Sequence, residues 1–271
     1  MKVWKVSIFL WLEVQTMLNL FNAYFSRLAK WKVFHILMFT MLAGGIAIAM
    51  VSRKHQFVFQ LPFTAAGIIF PIYIGVVTGL FNYPVFTNGT IRNQLAVGHK
   101  RSHIFFADWA ASNVFSIVLY LILAVSIDVV AAIDGTAAGD VSWKNVISGL
   151  VISSLHIMLF TTITQLFCAM LKGVRSFLAI YLGNQLLVLA GAAIMTVEKV
   201  PKAVLYFFPT VVTLNLDCFD TASALTPVTE GIAASADALT FQFLPAAGAI
   251  ILEIAVVFLI GTLYFRKTDF N

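Results

Sequence analysis

The sequence predicts an all-α polytopic membrane protein with six transmembrane helices. Three observations carry that expectation. The 271 residues are 61% hydrophobic and only 11% charged, whereas soluble domains run about 45–50% apolar and about 25% charged. Mean hydropathy is +0.95, which leaves too little polar surface to coat a water-soluble particle. The apolar residues also gather in runs of about 20, the length needed to cross a bilayer. The net charge of +5 is not a nucleic-acid signal, because the basic residues do not cluster on one soluble domain.

Residues 1–33 form an N-terminal extension and an interfacial amphipathic helix. Met17, Leu18, Phe21, Tyr24, Phe25, Leu28 and Trp31 recur at three- and four-residue spacing. Asn19, Asn22, Ser26, Arg27 and Lys30 fill the other side. That pattern predicts a helix in the membrane interface, apolar face down and basic residues toward lipid phosphates. Its Trp and Lys flanks suit that depth; a cytosolic helix packed on a partner is the alternative. Residues 1–16 read as an extra segment, with Met17 as an alternative start. Glu13 and Gln15 follow the first apolar run and no small-residue cleavage site appears, so no cleavable signal peptide is expected.

Residues 34–271 form the six-helix transmembrane domain, with spans expected near 34–52, 62–83, 106–127, 146–170, 176–197 and 244–265. Between the second and third lies the polar stretch Thr87–His103, TNGTIRNQLAVGHKRSH. Thr90 is placed to cap a short helix. Ile91 and Leu95, with Val97 beside them, share one face, while Arg92, Asn93 and Gln94 point elsewhere. Gly98 tolerates the left-handed conformation that ends such a helix. The segment 198–243 is the longest connection. Its apolar run, Val204 to Val212, is broken by Pro209 and is too short to span, so it is either a re-entrant helix or an ordinary loop capping the bundle.

Orientation follows from Lys and Arg, which favour cytoplasmic loops. With the N-terminus inside, twelve of the 17 basic residues lie inside, among them Arg92, Lys100, Arg101, Lys172, Arg175, Arg266 and Lys267. The acids Asp128, Asp134, Asp140, Glu198, Asp217, Asp220, Glu230 and Asp237 fall outside. Both termini and the stretch 87–103 are therefore expected in the cytoplasm. Asn88-Gly89-Thr90 fits a glycosylation sequon, but on the wrong side for use.

Little chemistry is written in the chain. It has no Gly-x-x-x-x-Gly-Lys-[Ser/Thr] phosphate loop, no His-Glu-x-x-His, no Gly-x-Ser-x-Gly and no Cys-x-x-Cys. Cys168 sits in an apolar run and Cys218 in a polar one, so a disulfide between them is not expected. The five histidines are scattered, without metal-ligand spacing. No catalytic residue, metal or directly bound cofactor is expected.

Glu253 stands near the middle of the last span, where a charge costs at least about 3 kcal/mol. It is either a substrate-pathway or proton-linked site, or a protonated structural group. His156 and Gln165 in the fourth span, and Asn184 and Gln185 in the fifth, are its candidate partners; each also suits plain interhelical hydrogen bonding. Gly44-Gly45, and Gly191 between alanines, mark close helix contact. Asp108 opens the third span near Arg92 and Arg101, which suggests a salt bridge or a solvated acid favoured by the helix dipole.

This layout resembles the permeases of the type-2 family of ABC transporters, closest to bacterial antibiotic- and lantibiotic-export permeases. The family's cytoplasmic stretch is matched by Gly89, Thr90, Ile91, Arg92, Asn93, Gln94 and Leu95, then Gly98 and Arg101. Phe265-Arg266-Lys267-Thr268-Asp269-Phe270 is similar to its basic-acidic exit from the last span. Pro84, Val85 and Phe86 stand where relatives often carry an acid. The resemblance covers 17–271 and implies a subunit of the bacterial cell membrane. On it, the stretch is a coupling helix docking into a separate ATPase subunit, two copies of which bind ATP and Mg. A second permease, identical or paralogous, completes the exporter of an amphipathic, peptide or antibiotic-like substrate. Two other functions fit the residues: a stand-alone proton-coupled transporter using Glu253, and a membrane sensor or scaffold binding through 198–243.

Overall fold

A computed structural model describes residues 17–51, 61–87, 90–133, 143–171, 201–214 and 242–267, with nine residues between 182 and 194. All regular structure among them is helical. The helices are α1 (17–30), α2 (Lys32–Val51), α3 (Leu61–Thr87), α4 (Thr90–Ala96), α5 (Arg101–Ile133) and α6 (Trp143–Met170). They continue with α7 (Lys202–Leu205), α8 (Pro209–Leu214) and α9 (Phe243–Lys267). Four are long and apolar enough to cross a membrane: α2, α5, α6 over Val146–Met170, and α9. They overlie the expected spans 34–52, 106–127, 146–170 and 244–265.

The second expected span falls on α3, a 27-residue helix. Of it, Tyr73–Asn82 counts as a shorter apolar helix. Most of the fifth, 176–197, lies outside the described residues, as do residues 1–16 and the greater part of 198–243. Described residues between 182 and 194 are helical.

α5 is longer than the expected third span. It runs 33 residues, about 50 Å at 1.5 Å per residue. The third span was expected near 106–127, with Asp128 outside it. The helix continues past that point to Ile133, and Asp128 is part of it. No Gly or Pro interrupts α5, so nothing ends the helix where the apolar run does.

The core comprises three apolar clusters. Phe70, Ile74, Phe81, Phe115, Leu119 and Tyr120 join α3 to α5, with Trp31 and Phe34 packed on them. Phe81 and Phe115 stack at 5.8 Å between ring centroids, and Trp31 reaches both, at 5.5 and 6.0 Å. A second cluster ties α6 to α7, α8 and α9 through Ile152, Leu159, Leu205, Val211, Val212 and Ile250. A third gathers Leu20, Tyr24, Val85, Ile91, Ile104 and Phe265 at one end of the bundle.

Gly45 shows why α2 lies so close to α5: a Cβ there would clash with Ser126 Oγ and meet the Leu123 carbonyl at 2.9 Å. The expected close contact is therefore at Gly45; Gly44 has open space around it. The far sides of α2 and α9 expose Ile36, Phe39, Val51, Leu244, Ile251 and Leu259, an apolar skin suited to lipid.

Candidate functional site: a docked short helix, a buried polar layer and an acidic cleft

The short helix after α3 forms as the sequence indicates, with one change at its start. Thr90 is already helical, and Gly89 before it lies outside the described residues. Its end is a Schellman motif. The His99 amide donates to the Gln94 carbonyl at 3.1 Å and the Gly98 amide to the Leu95 carbonyl at 2.9 Å. Gly98 has φ +94°, which a side chain would resist.

Ile91 is 2% exposed and inserts into the cluster of Tyr24, Ile104 and Phe265. Burying such a side chain stabilises the contact by about 2 kcal/mol. The Tyr24 hydroxyl donates to Gln94 Oε1 at 3.3 Å; burial pushes that phenol up, so it stays a donor. Arg92, Asn93 and Ala96 face outward, and Val97 is 79% exposed. At the same end, Arg101 Nη1 donates to the Arg266 carbonyl at 3.3 Å. This brings the start of α5 and the end of α9 together.

α1 turns the expected apolar side toward the bundle, with Phe21, Phe25 and Trp31 partly buried. Its buried stripe is Leu20, Tyr24 and Leu28, set against protein, while Leu18 is 53% exposed. Arg27 does not reach away toward lipid phosphates. Its Nη2 donates to the Phe81 carbonyl at 2.6 Å, and its guanidinium carbon sits 4.8 Å from the Phe81 ring centroid. Pro84 has no amide hydrogen for the Leu80 carbonyl, so the α3 ladder is already incomplete one residue away from the carbonyl that Arg27 holds.

A buried polar layer crosses the bundle next to this end. Asp108 is 1% exposed. Its Oδ2 accepts from Gln165 Nε2 at 2.8 Å. Arg27 is the cation whose field reaches it, not Arg92 or Arg101, because about two turns into α5 the carboxylate faces inward. Ser112 donates to Asn82 Oδ1 at 3.0 Å, Thr78 and Ser116 hydroxyls lie 3.3 Å apart, and Trp109 Nε1 donates to Thr162 Oγ1 at 2.9 Å. Among the described residues, Asp108 Oδ1, Gln165 Oε1, Asn82 Nδ2 and His156 Nε2 have no hydrogen-bond partner.

The run broken by Pro209 enters the bundle. Pro209 is the first residue of α8, where its missing amide and fixed φ are no handicap, and the Val212 amide donates to the Phe208 carbonyl. Thr213 meets His156 Nδ1 at 2.6 Å. His156 is the midpoint residue of α6, so α8 lies at mid-height of that helix.

The third feature is a cleft of about 390 Å³ between α6, α9 and residues 207–209. Leu159, Phe160 and Ile163 form one wall, and Leu252, Val256 and Val257 the other. Among the described residues, Glu253 is the only charged one lining it. The sequence suggested His156 and Gln165 as partners of Glu253, and the structure corrects this. His156 is committed to Thr213 and stacks on Phe160 at 4.9 Å, and Gln165 is committed to Asp108. Gln185 is helical and half-buried; Asn184 lies outside the described residues. Among the described residues, no hydrogen bond or charge reaches the Glu253 carboxylate.

No group of three His, Cys, Asp or Glu suited to a metal ion occurs among the described residues. Arg27, Asn82 and Thr213 were missed as site residues. Only Arg27 left a trace in the sequence: it follows Tyr24 by three positions, on the flank of the buried stripe. The chain matches no protein-family model and no curated protein.

Proposed function

We propose that this chain is the membrane subunit of a transporter driven by a separate ATPase, with α4 as the element that receives the driving motion. In this reading six helices span the membrane, α3 and the stretch around 182–194 among them, and the end carrying α1 and α4 faces the cytoplasm. The observation that carries it is the two-sided character of α4. Ile91 anchors the helix in the body of the protein, while Arg92, Asn93 and an exposed Val97 form a tip outside it. An apolar side chain left 79% exposed beside a cation suits a groove on another subunit. The anchored base links any push on that tip to α1, α5 and α9 together. The chain lacks a phosphate-binding loop, which fits energy supplied from outside it.

A photo-crosslinking residue placed at Asn93 or Val97 in cells is expected to capture a nucleotide-binding subunit. Val97→Asp is expected to reduce the ATPase stimulation by the reconstituted chain about tenfold, as loss of a buried interface anchor does. Full stimulation by that variant, or no nucleotide-binding subunit crosslinked from either position, refutes the proposal.

The second reading is a proton-coupled transporter, favoured by the unpartnered Glu253 in its cleft. It requires uptake or export by the isolated chain in liposomes under a pH gradient alone, abolished in Glu253→Gln.

A further inference from the structure

We propose that the Glu253 cleft binds an amphipathic organic cation, one positive head on an apolar or aromatic body. The inference deepens the transport reading by naming its substrate class, and it rests on that reading only for why such a molecule is carried.

The volume, about 390 Å³, falls within the range of small-molecule sites, about 300–1,000 Å³. Its walls are almost wholly apolar: Leu159, Phe160 and Ile163 from α6, Leu252 and Val256 from α9, with Phe207 and Phe208 at one edge. They suit a hydrocarbon or aryl body. Phe160 is held in place, 2% exposed and stacked on His156.

Charge decides the class. One carboxylate stands in this wall, and no described donor or cation neutralises it. An ionised carboxylate in such surroundings is costly until a counter-charge arrives. A neutral lipid tail would leave it unmatched, and an anion would be repelled. A cation satisfies it. The mid-height position, beside α8 and half-way along α6, sets the site where alternating access to either side is shortest.

The test uses the full chain, purified in nanodiscs of neutral phosphatidylcholine. Two ions of the same shape and opposite charge serve as probes, tetraphenylphosphonium and tetraphenylborate. The phosphonium is expected to bind saturably and the borate not. Glu253→Gln is expected to weaken phosphonium binding at least about tenfold, the loss of one charge pair plus its desolvated setting. Glu253→Asp is expected to stay within a few-fold of the parent chain. Val256→Trp, which fills the cleft without touching the charge, is expected to abolish binding. Removing a buried charge does not threaten folding, and elution as a single species checks each variant. Equal binding of the two ions, unaltered phosphonium binding in Glu253→Gln, or no saturable binding overturns the proposal. None of these outcomes bears on ATPase stimulation through Val97, so the cleft and the coupling helix stand or fall separately.

Discussion

Arg27 and Asp108 belong to one polar layer that links four helices. Arg27 holds the Phe81 carbonyl of α3, and its charge reaches Asp108 of α5. Asp108 in turn accepts from Gln165 of α6. A buried carboxylate is costly, and its cation offsets part of that cost. Arg27→Ala is therefore expected to destabilise the chain in detergent by about 2 kcal/mol, by losing both the carbonyl bond and the compensation. Asp108→Asn keeps an oxygen for Gln165 and removes the charge, so its unfolding midpoint is expected to be unchanged or higher. In the Asp108→Asn background, Arg27→Ala is expected to cost only about 1 kcal/mol, the carbonyl bond alone. A denaturant double-mutant cycle measures this; additivity within about 0.3 kcal/mol would mean the two side chains do not sense each other. At this scale the sequence was weakly legible. It marks Arg27 as basic and helical, but the Phe81 carbonyl that Arg27 holds is 54 residues away. Likewise His156 finds Thr213 at a separation of 57, a choice no local spacing encodes.

Among the elements, α4 was the most legible because its signals are local. Gly98 stops the helix where the chain must turn left-handed, and the two bonds from Gly98 and His99 close it. Gly98→Ala is expected to cost about 1 kcal/mol in that closure, since L-residues disfavour positive φ. Faster hydrogen exchange of the His99 amide, with little change in α5, is the measurement. α8 was legible only as an ambiguity. An apolar run with a proline suits either a re-entrant piece or a cap, and what decides is the contact of Val211, Val212 and Thr213 with α6. α5 extends past the expected span at both ends: Ser102 and Asp128 lie inside the one helix, beyond the apolar run that hydropathy marks.

Across the whole molecule, the long helices were legible wherever apolar length was the only signal needed, as in α2, α6 and α9, each long and apolar enough to cross a membrane. The structure also groups Arg92, Lys100, Arg101, Arg266 and Lys267 near one end. Ile91, Ile104 and Phe265 share a cluster there, and Arg101 bonds to Arg266. Single cysteines test this arrangement after Cys218 is replaced by Ser; Cys168, 3% exposed, is silent to reagent. Asn93→Cys and Lys267→Cys are expected to react with an impermeant maleimide from the same side of sealed vesicles. Ile133→Cys, at the far tip of α5 and 79% exposed, is expected to react only from the opposite side. Labelling of all three from one side would contradict the bundle.

Because α5 is about 50 Å long and contains neither glycine nor proline, it has no built-in joint. α3 differs, since Pro71 and Pro84 interrupt its amide ladder. Load applied at Arg101 is consequently carried along α5 as tilt rather than as bend. The tight seat of Gly45 against Ser126 is the natural fulcrum, so small travel at the basic tip becomes opposite travel at Ile133.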